Sequence, residues 1–570
     1  METCDGRYGL VFNGEVYNFT ELREELRKKG EQFRSSGDTE VVLHLLARKG
    51  ASGLAELNGM FALALYDRLE ERILLARDHA GIKPLYYLLT TRGLVFASQY
   101  DQILGHPWAQ ALPVSDAALG LYLRLGYIPA PYALLENTYM LEPGCWLDIS
   151  SNGGVRSGRF FEFPQFREPD LKGDEADEAV DEAVARAVKR QLVSDVPLGT
   201  FLSGGIDSPL VAAKMRSASR EPVHAFTIGV KGDLLDESPD AIRYASEIGL
   251  NHTVEHVTSD QALAMLDDVV EACGEPFADY SIFPTMLVSR IARKKVTVML
   301  SGDGGDELFW GYASRFAPVL EQLSSLADQP FWLRKLHWSM RRVLHLHRGH
   351  SGLRYASVGE WYRQMHCRLS EDQLRAIFQR VPEWPTQWEL YRSEHADTER
   401  TAQWMRWNEF VGHLTMVLLK VDRASMYNSL EVRVPLLDRE VVEVASRINW
   451  ATCLDTRRRI GKRPLRRALS RHVQHQSLSK RGFEVPMAAW LRGPLRSVVE
   501  EVLLPRQDLL GVPLNSTAIR SLFNQHIGGR QDHSRGLWTL LSLALWQEHH
   551  FHRRGEERFS EDASLCVPVH

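Results

Sequence analysis

Apolar and polar residues alternate differently in two parts of the chain. Over about the first 165 residues the apolar stretches are short and end in charged or glycine-rich turns, which is typical of antiparallel strands. Helices are predicted at residues 16–30 and 41–50, with Asp38 or Thr39 as a candidate N-terminal cap of the second helix. Strands are predicted at residues 9–12, 60–66, 72–76, 85–89 and 94–97.

Beyond residue 173 the apolar runs predict buried strands that alternate with helices. A helix over residues 173–192 carries an apolar stripe along one side. This order predicts a parallel, doubly wound α/β sheet, whose ligands bind at the carboxyl ends of the strands. Leu202 and Ile228 stand at two of these ends. The strands are predicted at residues 196–202, 223–229, 252–257 and 295–300, and helices at 210–217 and 236–249.

Composition excludes several classes of protein. Hydrophobic residues make up 44% of the 570 residues and charged residues 25%, which is ordinary for a soluble globular protein. The net charge of −5 gives no signature of nucleic-acid binding. No apolar run approaches the ~18 residues that span a membrane. The six cysteines include no Cys-x-x-Cys pair, which favours a reducing cytoplasm over a disulfide framework or a zinc site.

The first chemical motif is the turn SGGIDS at residues 203–208, between a predicted strand and a predicted helix. Its glycines let backbone N–H groups close on an anion, and the helix N-terminus adds a favourable dipole. Ser203 and Ser208 add hydroxyl donors, and Asp207 is a candidate magnesium ligand. The motif predicts a phosphate-binding loop; the alternative is an ordinary glycine-rich turn.

A second turn, SGDGGDE at residues 301–307, follows another predicted strand. Its carboxylates, on Asp303, Asp306 and Glu307, repel one another unless a cation or a substrate ammonium lies among them. The alternative is a solvated acidic loop.

The most basic stretch is RRRIGKRPLRRALSR at residues 457–471. One interpretation is a surface that binds RNA or DNA. The other, which we prefer, is a helix with one inward lysine, Lys462, because Leu465 and Ala468 recur at helical spacing beside the charges. A histidine-rich run at residues 345–350 has irregular spacing and no partnering carboxylates, which favours a solvated turn over a metal site.

Together these strings resemble the glutamine-hydrolysing asparagine synthetases, whose nucleotide domain carries the pyrophosphate loop of ATP pyrophosphatases. The turns SGGIDS and SGDGGDE, the segment LLKVDRASMYNSLEVRVPLLDRE and a Gly-Lys-x-x-Leu-Arg string occur in the family's order. The resemblance covers residues 6 to about 548. It implies ATP and Mg²⁺ as cofactors, and places residues 480–486 where they close the site. It also places residues 275–281 at the aspartate pocket, for which the alternative is an ordinary loop with a helix cap.

The resemblance also implies roles for single residues. Asp207 and Asp306 hold magnesium, Asp303 takes the acid position tied to forming the acyl-adenylate, and Lys462 meets the α-phosphate. Trp310 departs from the family, which usually has Gly at that position. The implied ATP contacts are Leu202, Ser203, Gly204, Gly205, Asp207, Ser208, Ile228, Ser301 and Gly302.

The first part of the chain resembles the class II, N-terminal-nucleophile glutaminase domain of the same family, in strings such as LVFNGEVYNFTELR and SGDTEVVL. The resemblance implies that Asn13 and Gly14 supply an oxyanion hole and that Glu15 and Asp38 bind the amino group of glutamine. The alternatives are a hairpin turn and a helix cap. The family's nucleophilic cysteine belongs well upstream of this motif, and Cys4 is a poor substitute. We therefore expect a truncated glutaminase domain that does not use glutamine, unless the sequence is a fragment or its start is misassigned.

The expected architecture has four segments. These are a truncated α+β amidotransferase-like sandwich at residues 1–160, a linker at 161–174, an ATP-pyrophosphatase domain with a helical C-terminal part at 175–548, and a polar tail at 549–570. The resemblance implies a cytoplasmic ligase of asparagine biosynthesis that adenylates the β-carboxylate of aspartate and amidates it with nitrogen from glutamine or ammonia. It is compatible with a homodimer and implies neither nucleic acid nor membrane as a partner. The alternatives are the same amidation of another carboxylate, such as a sugar acid or a peptide, a non-catalytic relic scaffold, and a nucleic-acid-modifying relative.

Overall fold

The computed structural model describes residues 1–229, 236–327, 330–343, 351–386, 388–393, 397–474, 476 and 485–552. The histidine-rich run at 345–350, most of the proposed closing segment and residues 553–570 of the tail lie outside these ranges. The strands are β1 (Tyr8–Val16), β2 (Gly59–Asp67), β3 (Arg72–Arg77), β4 (Tyr86–Thr90), β5 (Gly93–Ala97), β6 (Thr138–Met140), β7 (Cys145–Ser150), β8 (Val155–Arg159), β9 (Leu198–Phe201), β10 (His224–Gly229), β11 (Asn251–His256), β12 (Val298–Leu300), β13 (Glu431–Arg433), β14 (Asp508–Leu509) and β15 (Val512–Pro513).

Helices surround these strands, and among the described residues none is both long and apolar enough to cross a bilayer. The first helices are α1 (Phe19–Lys28), α2 (Asp38–Lys49), α3 (Tyr100–Gly105), α4 (Asp116–Leu125), α5 (Gly173–Gln191), α6 (Asp207–Ala218), α7 (Ser238–Ile248), α8 (Ser259–Ala264), α9 (Leu266–Ala272), α10 (Ile282–Arg293), α11 (Gly305–Leu308) and α12 (Ala313–Ala327). The later ones are α13 (Phe331–Val343), α14 (Val358–His366), α15 (Glu371–Ile377), α16 (Thr398–Asn408), α17 (Leu414–Tyr427), α18 (Arg439–Arg447), α19 (Trp450–Cys453), α20 (Arg463–Ser470), α21 (Met487–Arg492), α22 (Arg496–Val498), α23 (Ser516–Ile527) and α24 (Ser534–Gln547).

The N-terminal part is layered. Antiparallel strands form one sheet in the order β1-β2-β3-β7-β8 and a second in the order β5-β4-β6. Apolar side chains of α1 and α2 pack against one face of the larger sheet, and the smaller sheet packs against its other face. The antiparallel strands predicted from the short apolar runs are therefore confirmed.

The strand β1 corrects two local expectations. It continues through Asn13 and Gly14, which pair with β2, so this dipeptide is not a hairpin turn. A side chain at Gly14 would collide with the backbone of Met60, which explains why glycine stands there. Neither Asp38 nor Thr39 caps α2, because Gly37 is the N-terminal cap and α2 begins at Asp38. The Asp38 carboxylate instead accepts a hydrogen bond from the Val16 N–H at 2.8 Å.

The C-terminal part is built on a parallel sheet in the order β11-β10-β9-β12-β13. Four of these strands lie where the apolar runs predict them. The edge strand β13 was not predicted, because it has three residues within a segment of alternating charges. The helix α5 has the predicted apolar stripe, with Ala183, Val184, Ala187 and Val188 fully buried.

The surroundings of Trp310 show how a tryptophan is accommodated at a position where the family usually has glycine. Its φ of 49° is a conformation that favours glycine. The side chain is fully buried, its indole N–H donates to the Ala402 carbonyl at 3.0 Å, and the Arg406 guanidinium lies 4.5 Å from its ring. The packing of the tryptophan offsets the strain of its backbone.

We expect Trp310→Gly to lower the free energy of unfolding by about 2 kcal/mol, because the loss of a buried tryptophan (~3–5 kcal/mol) exceeds the relief of backbone strain (~1–2 kcal/mol). Chemical denaturation of the two proteins measures the difference. Trp310→Phe, which keeps the strain and most of the packing, serves as the matched comparison. A glycine variant as stable as the original chain would contradict this account.

Candidate active site

A cavity of about 780 Å³ lies where β9, β10 and β12 end. The ends of parallel strands meet at one edge of a sheet, which is why residues from distant parts of the chain gather there. Among the residues predicted to bind a nucleotide or metal, those that line the cavity are Leu202, Ser203, Gly205, Asp207, Ser208, Ile228, Ser301, Gly302, Asp303, Asp306 and Lys462.

The turn at residues 203–208 is held by its own hydroxyl groups. The Ser203 N–H donates to the Ser208 hydroxyl at 2.8 Å, and the Gly205 N–H donates to the Ser203 hydroxyl at 3.1 Å. Gly204 differs from the prediction, because it does not line the cavity and its N–H donates to the Glu237 carboxylate at 3.2 Å.

The two glycine-rich turns pack against each other with little space between their backbones. A Cβ atom at Gly302 would lie 2.6 Å from the Ser208 nitrogen, and one at Gly305 would lie 2.6 Å from the carboxyl carbon of Asp207. Both positions therefore need glycine for the turns to approach this closely. This contact brings the carboxylates of Asp207 and Asp306 to the same side of the cavity.

Lys462 joins the two turns. Its ammonium forms an ion pair with Asp207 and another with Asp306, the latter at 2.7 Å. Burial would lower the pKa of Lys462, but Asp207 and Asp306 outweigh it and raise the pKa above its ordinary value. Lys462 precedes α20 with φ of 57°, and its N–H donates to the Phe309 carbonyl at 2.9 Å. The buried lysine is therefore cationic and lies between two acids.

Two arginines of the basic run, Arg467 and Arg471, form ion pairs with α5. Arg467 contacts Asp174 and Asp177 of α5, and Arg471 contacts Glu178 of the same helix at 2.5 Å. Leu465 and Ala468 are buried, as the helical interpretation predicts.

Several cations of the cavity were not predicted, because single arginines in a long helical region carry no distinguishing pattern. Lys420 lies within a string quoted for the family, and Arg459 and Arg466 lie in the basic stretch at residues 457–471, so these three had a signal. The unpredicted cations are Arg315, Arg368, Lys420, Arg459, Arg466 and Arg535.

The predicted glutamine-site residues lie apart from this cavity, on β1 and α2. The Asn13 amide donates to the Ser98 hydroxyl at 2.9 Å. The carboxylate of Glu15 lies 3.6 Å from Arg433, which belongs to β13 of the parallel sheet. Burial and then the nearby Asp38 raise the pKa of Glu15 to about 7, although Arg433 opposes this shift. Burial also raises the pKa of Asp38.

The comparisons with known proteins agree with this geometry. The family model described as asparagine synthase matches residues 179–548, and the model described as a glutamine amidotransferase domain matches residues 1–161. The chain belongs to the asparagine synthase family. Its members are ligases, and the chain joins a glutamine amidotransferase domain to an asparagine synthase domain.

Named members of the asparagine synthase family align with most of the chain. "Asparagine synthetase [glutamine-hydrolyzing] 1" of Bacillus subtilis is 29% identical over 96% of this chain and 87% of its own length. A Mycobacterium tuberculosis protein that bears the provisional name asparagine synthetase [glutamine-hydrolyzing] is 34% identical over 95% of this chain and 84% of its own. A solved B. subtilis glutamine phosphoribosylpyrophosphate amidotransferase covers 53% of this chain and 63% of its own at 16% identity and a TM-score of 0.21, which is too low to bear on the fold.

The raised pKa of Glu15 predicts a pH-dependent stability. The folded protein holds this proton up to pH about 7, whereas an unfolded glutamate releases it near 4.5. The contribution to stability is therefore complete below pH 4.5 and is lost as the pH rises through 7. The Glu15 side chain is 28% exposed and therefore partly screened by solvent. Between pH 5 and pH 8 we expect the free energy of unfolding of the original chain to fall by about 1–2 kcal/mol more than that of Glu15→Gln.

Thermal unfolding of both proteins at the two pH values tests this difference. The exposed Glu25→Gln is the matched control, for which no such divergence is expected. Equal pH dependence of the original chain and Glu15→Gln would show that Glu15 titrates normally.

Proposed function

We propose that the chain converts aspartate to asparagine at the expense of ATP, through adenylation of the β-carboxylate. The named relatives are asparagine synthetases, and the cavity contains the residue types that this chemistry needs. The observation that carries the proposal is the meeting of Asp207, Asp306 and Lys462, from three separate segments, at one point of the cavity.

The donor set of this point suits magnesium. Mg²⁺ prefers oxygen ligands and is bound through one or two carboxylates together with phosphate oxygens. Asp207 and Asp306 already share one cation, the Lys462 ammonium, so their oxygens converge on a site of positive charge. When bound with ATP, magnesium would neutralise the charge of the β- and γ-phosphates and make pyrophosphate a better leaving group.

The chain's own residues bind and orient the reactants. The start of α6 presents N–H groups to the phosphates, because the N–H groups of Ser203, Gly204 and Gly205 are used within the protein. The ends of β9 and β10 offer the backbone of Leu202 and Ile228 to the base. A β-carboxylate oxygen of aspartate attacks the α-phosphorus, and the bond to the bridging oxygen breaks to release pyrophosphate. Lys462 stabilises the charge that develops on the α-phosphate. Asp303, which accepts a hydrogen bond from the Ser301 hydroxyl at 2.8 Å, faces the adenylated carboxyl group.

Ammonia then attacks the acyl carbon, AMP leaves, and the nitrogen loses its extra proton to give the amide. Activation is necessary because a free carboxylate is a poor electrophile for an amine at neutral pH. Within this proposal, residues 175–548 carry the ligase chemistry, and Asn13, Gly14, Glu15 and Asp38 are glutamine-binding residues.

Ammonium is the proposed nitrogen donor for the residues described. Cys4 is exposed in the turn that precedes β1, whereas Asn13 lies five residues beyond the start of that strand. At ~3.3 Å per residue this separates them by about 16 Å, which is too far for Cys4 to attack an amide held at Asn13.

The first test is exchange of labelled pyrophosphate into ATP. We expect exchange that requires L-aspartate and Mg²⁺, and a decrease of at least ~100-fold for Lys462→Met, since a charge that stabilises the transition state is removed. Lys189→Met, an exposed lysine of α5, is the control and should exchange normally. Exchange that Lys462→Met leaves intact would contradict the assigned role, and no exchange with aspartate would contradict the substrate.

The second test concerns nitrogen. We expect asparagine to form from aspartate, ATP and ammonium chloride, but not when glutamine replaces ammonium, as measured by chromatography of the amino acids. Loss of the exposed thiol in Cys4→Ser should change neither result. Glutamine-dependent formation by the same polypeptide would refute the proposed donor.

A further inference from the structure

A second polar cluster lies on the wall of the same cavity, in a region where the sequence shows no motif. Arg315 and His366 line the cavity, and Glu409 lies behind them with its side chain fully buried. One guanidinium nitrogen of Arg315, Nη1, lies 3.1 Å from Glu409 Oε2 and 3.1 Å from His366 Nε2. The arginine is therefore fixed by a buried partner at the edge of the cavity.

Glu409 is built to remain a carboxylate. It accepts hydrogen bonds from the Tyr362 hydroxyl and from Arg315, and its Oε1 lies 2.9 Å from His366 Nε2. Burial alone would raise the pKa of Glu409, but His366 and Arg315 outweigh it and hold the pKa well below its ordinary value. A buried charge satisfied by this many donors orients the groups around it.

The local backbone is irregular at this place. Residues Glu409–His413 form a π-helical turn between α16 and α17, so that a long helix is interrupted where the cluster lies. Such π turns occur frequently at functional sites because they redirect side chains. Here both Glu409 and His413 come within 4.8 Å of His366 in their polar atoms.

Two of the three guanidinium nitrogens of Arg315 remain available to donate hydrogen bonds to a ligand. Its Nε and Nη2 atoms donate to none of the described residues, and its guanidinium lies 4.3 Å from the centre of the Tyr312 ring. The Tyr312 hydroxyl donates to Glu307 of the acidic turn at 2.6 Å. The planar edge of Arg315 is thus presented in the cavity and is linked through Tyr312 to the turn that carries Asp303 and Asp306.

A metal ion fits this cluster less well than an anion does. His366, Glu409 and His413 are of the types that bind metals. However, the Arg315 guanidinium already lies within hydrogen-bond distance of two of the three, and its positive charge would repel a divalent cation. Guanidinium groups match the geometry of carboxylates, with two parallel N–H donors.

We propose that Arg315 is a carboxylate-binding residue that recognises the second anionic group of the acceptor, and that Glu409 positions it. This inference rests on the proposed function, in which the first carboxylate is the one that reacts. It makes Arg315 a determinant of specificity for the aspartate acceptor.

Calorimetric binding to the full chain, with Mg²⁺ and α,β-methylene-ATP present, tests the inference. The probes are L-aspartate and β-alanine, which differ only in the α-carboxylate, and likewise succinate and propionate. We expect each dicarboxylate to bind at least ~30-fold more tightly than its partner, and Arg315→Met to remove the preference. Arg315→Lys should restore part of it, because a lysine keeps the charge but not the paired donors. Glu409→Gln should weaken dicarboxylate binding more than monocarboxylate binding.

The midpoint of thermal unfolding is measured for every variant, so that a loss of binding caused by unfolding is recognised. If a variant unfolds, Arg315→Lys takes its place in the comparison. The inference would be overturned if neither dicarboxylate bound more tightly than its monocarboxylate partner. It would also be overturned if the preference survived in folded Arg315→Met, or if it were undiminished in folded Arg315→Lys. Stoichiometric zinc in the purified protein would overturn it as well. Failure of the proposed function looks different: dicarboxylates would bind in an Arg315-dependent manner, but aspartate would not support pyrophosphate exchange.

Discussion

The structure of the cavity depends on one buried ion-pair triad, in which the Lys462 ammonium lies between the carboxylates of Asp207 and Asp306. Two acids on adjoining turns would repel each other if no cation lay between them, and a lysine that is 7% exposed would be costly to bury if no acid lay beside it. Each charge is tolerated because the other two are present. The triad thereby fixes the start of α6, the acidic turn and the start of α20 relative to one another.

Asp207 and Asp306 were predictable because each stands in a short glycine-rich string at the end of an apolar run. Lys462 was predictable because it stands in a Gly-Lys-x-x-Leu-Arg string within the most basic stretch. Features that arise from contacts between distant segments were not predictable. The three residues of β13 have no periodicity, and nothing in the sequence indicates that Arg433 on that strand approaches Glu15 on β1. Nor does the sequence link Arg315 to Glu409, which are separated by a region without motifs. The Asn13-Gly14 pair was ambiguous for the opposite reason, since the same dipeptide serves in hairpin turns and in strands that approach a neighbour closely.

The N-terminal sheets lie behind the cavity, and from residues 1–161 only Leu125 and Tyr127 line it. A ring nitrogen of His79, in the loop after β3, lies 2.7 Å from the Leu437 carbonyl oxygen, and the Leu437 side chain packs against Gly304 of the acidic turn. Buried ion pairs join the same two parts of the chain, with Lys83 3.1 Å from Asp422. Removing one partner from such a pair is costly, because the other charge stays buried without compensation. The acidic turn is therefore supported from behind by residues that do not line the cavity.

The triad of Asp207, Asp306 and Lys462 and the cluster around Glu409 differ in whether a ligand can replace their ion-pair partners. Asp207, Asp306 and Lys462 all line the cavity, so a metal ion and phosphates can compete for their charges when they bind. Glu409 has no exposed surface, so its hold on Arg315 cannot be taken over by a ligand in the same way. The charges of the triad must rearrange when the nucleotide binds. If the groups that bind the acceptor are already fixed in position, little further ordering is needed when the acceptor binds, and it is placed more precisely for reaction. The buried Glu409 supplies that fixed reference.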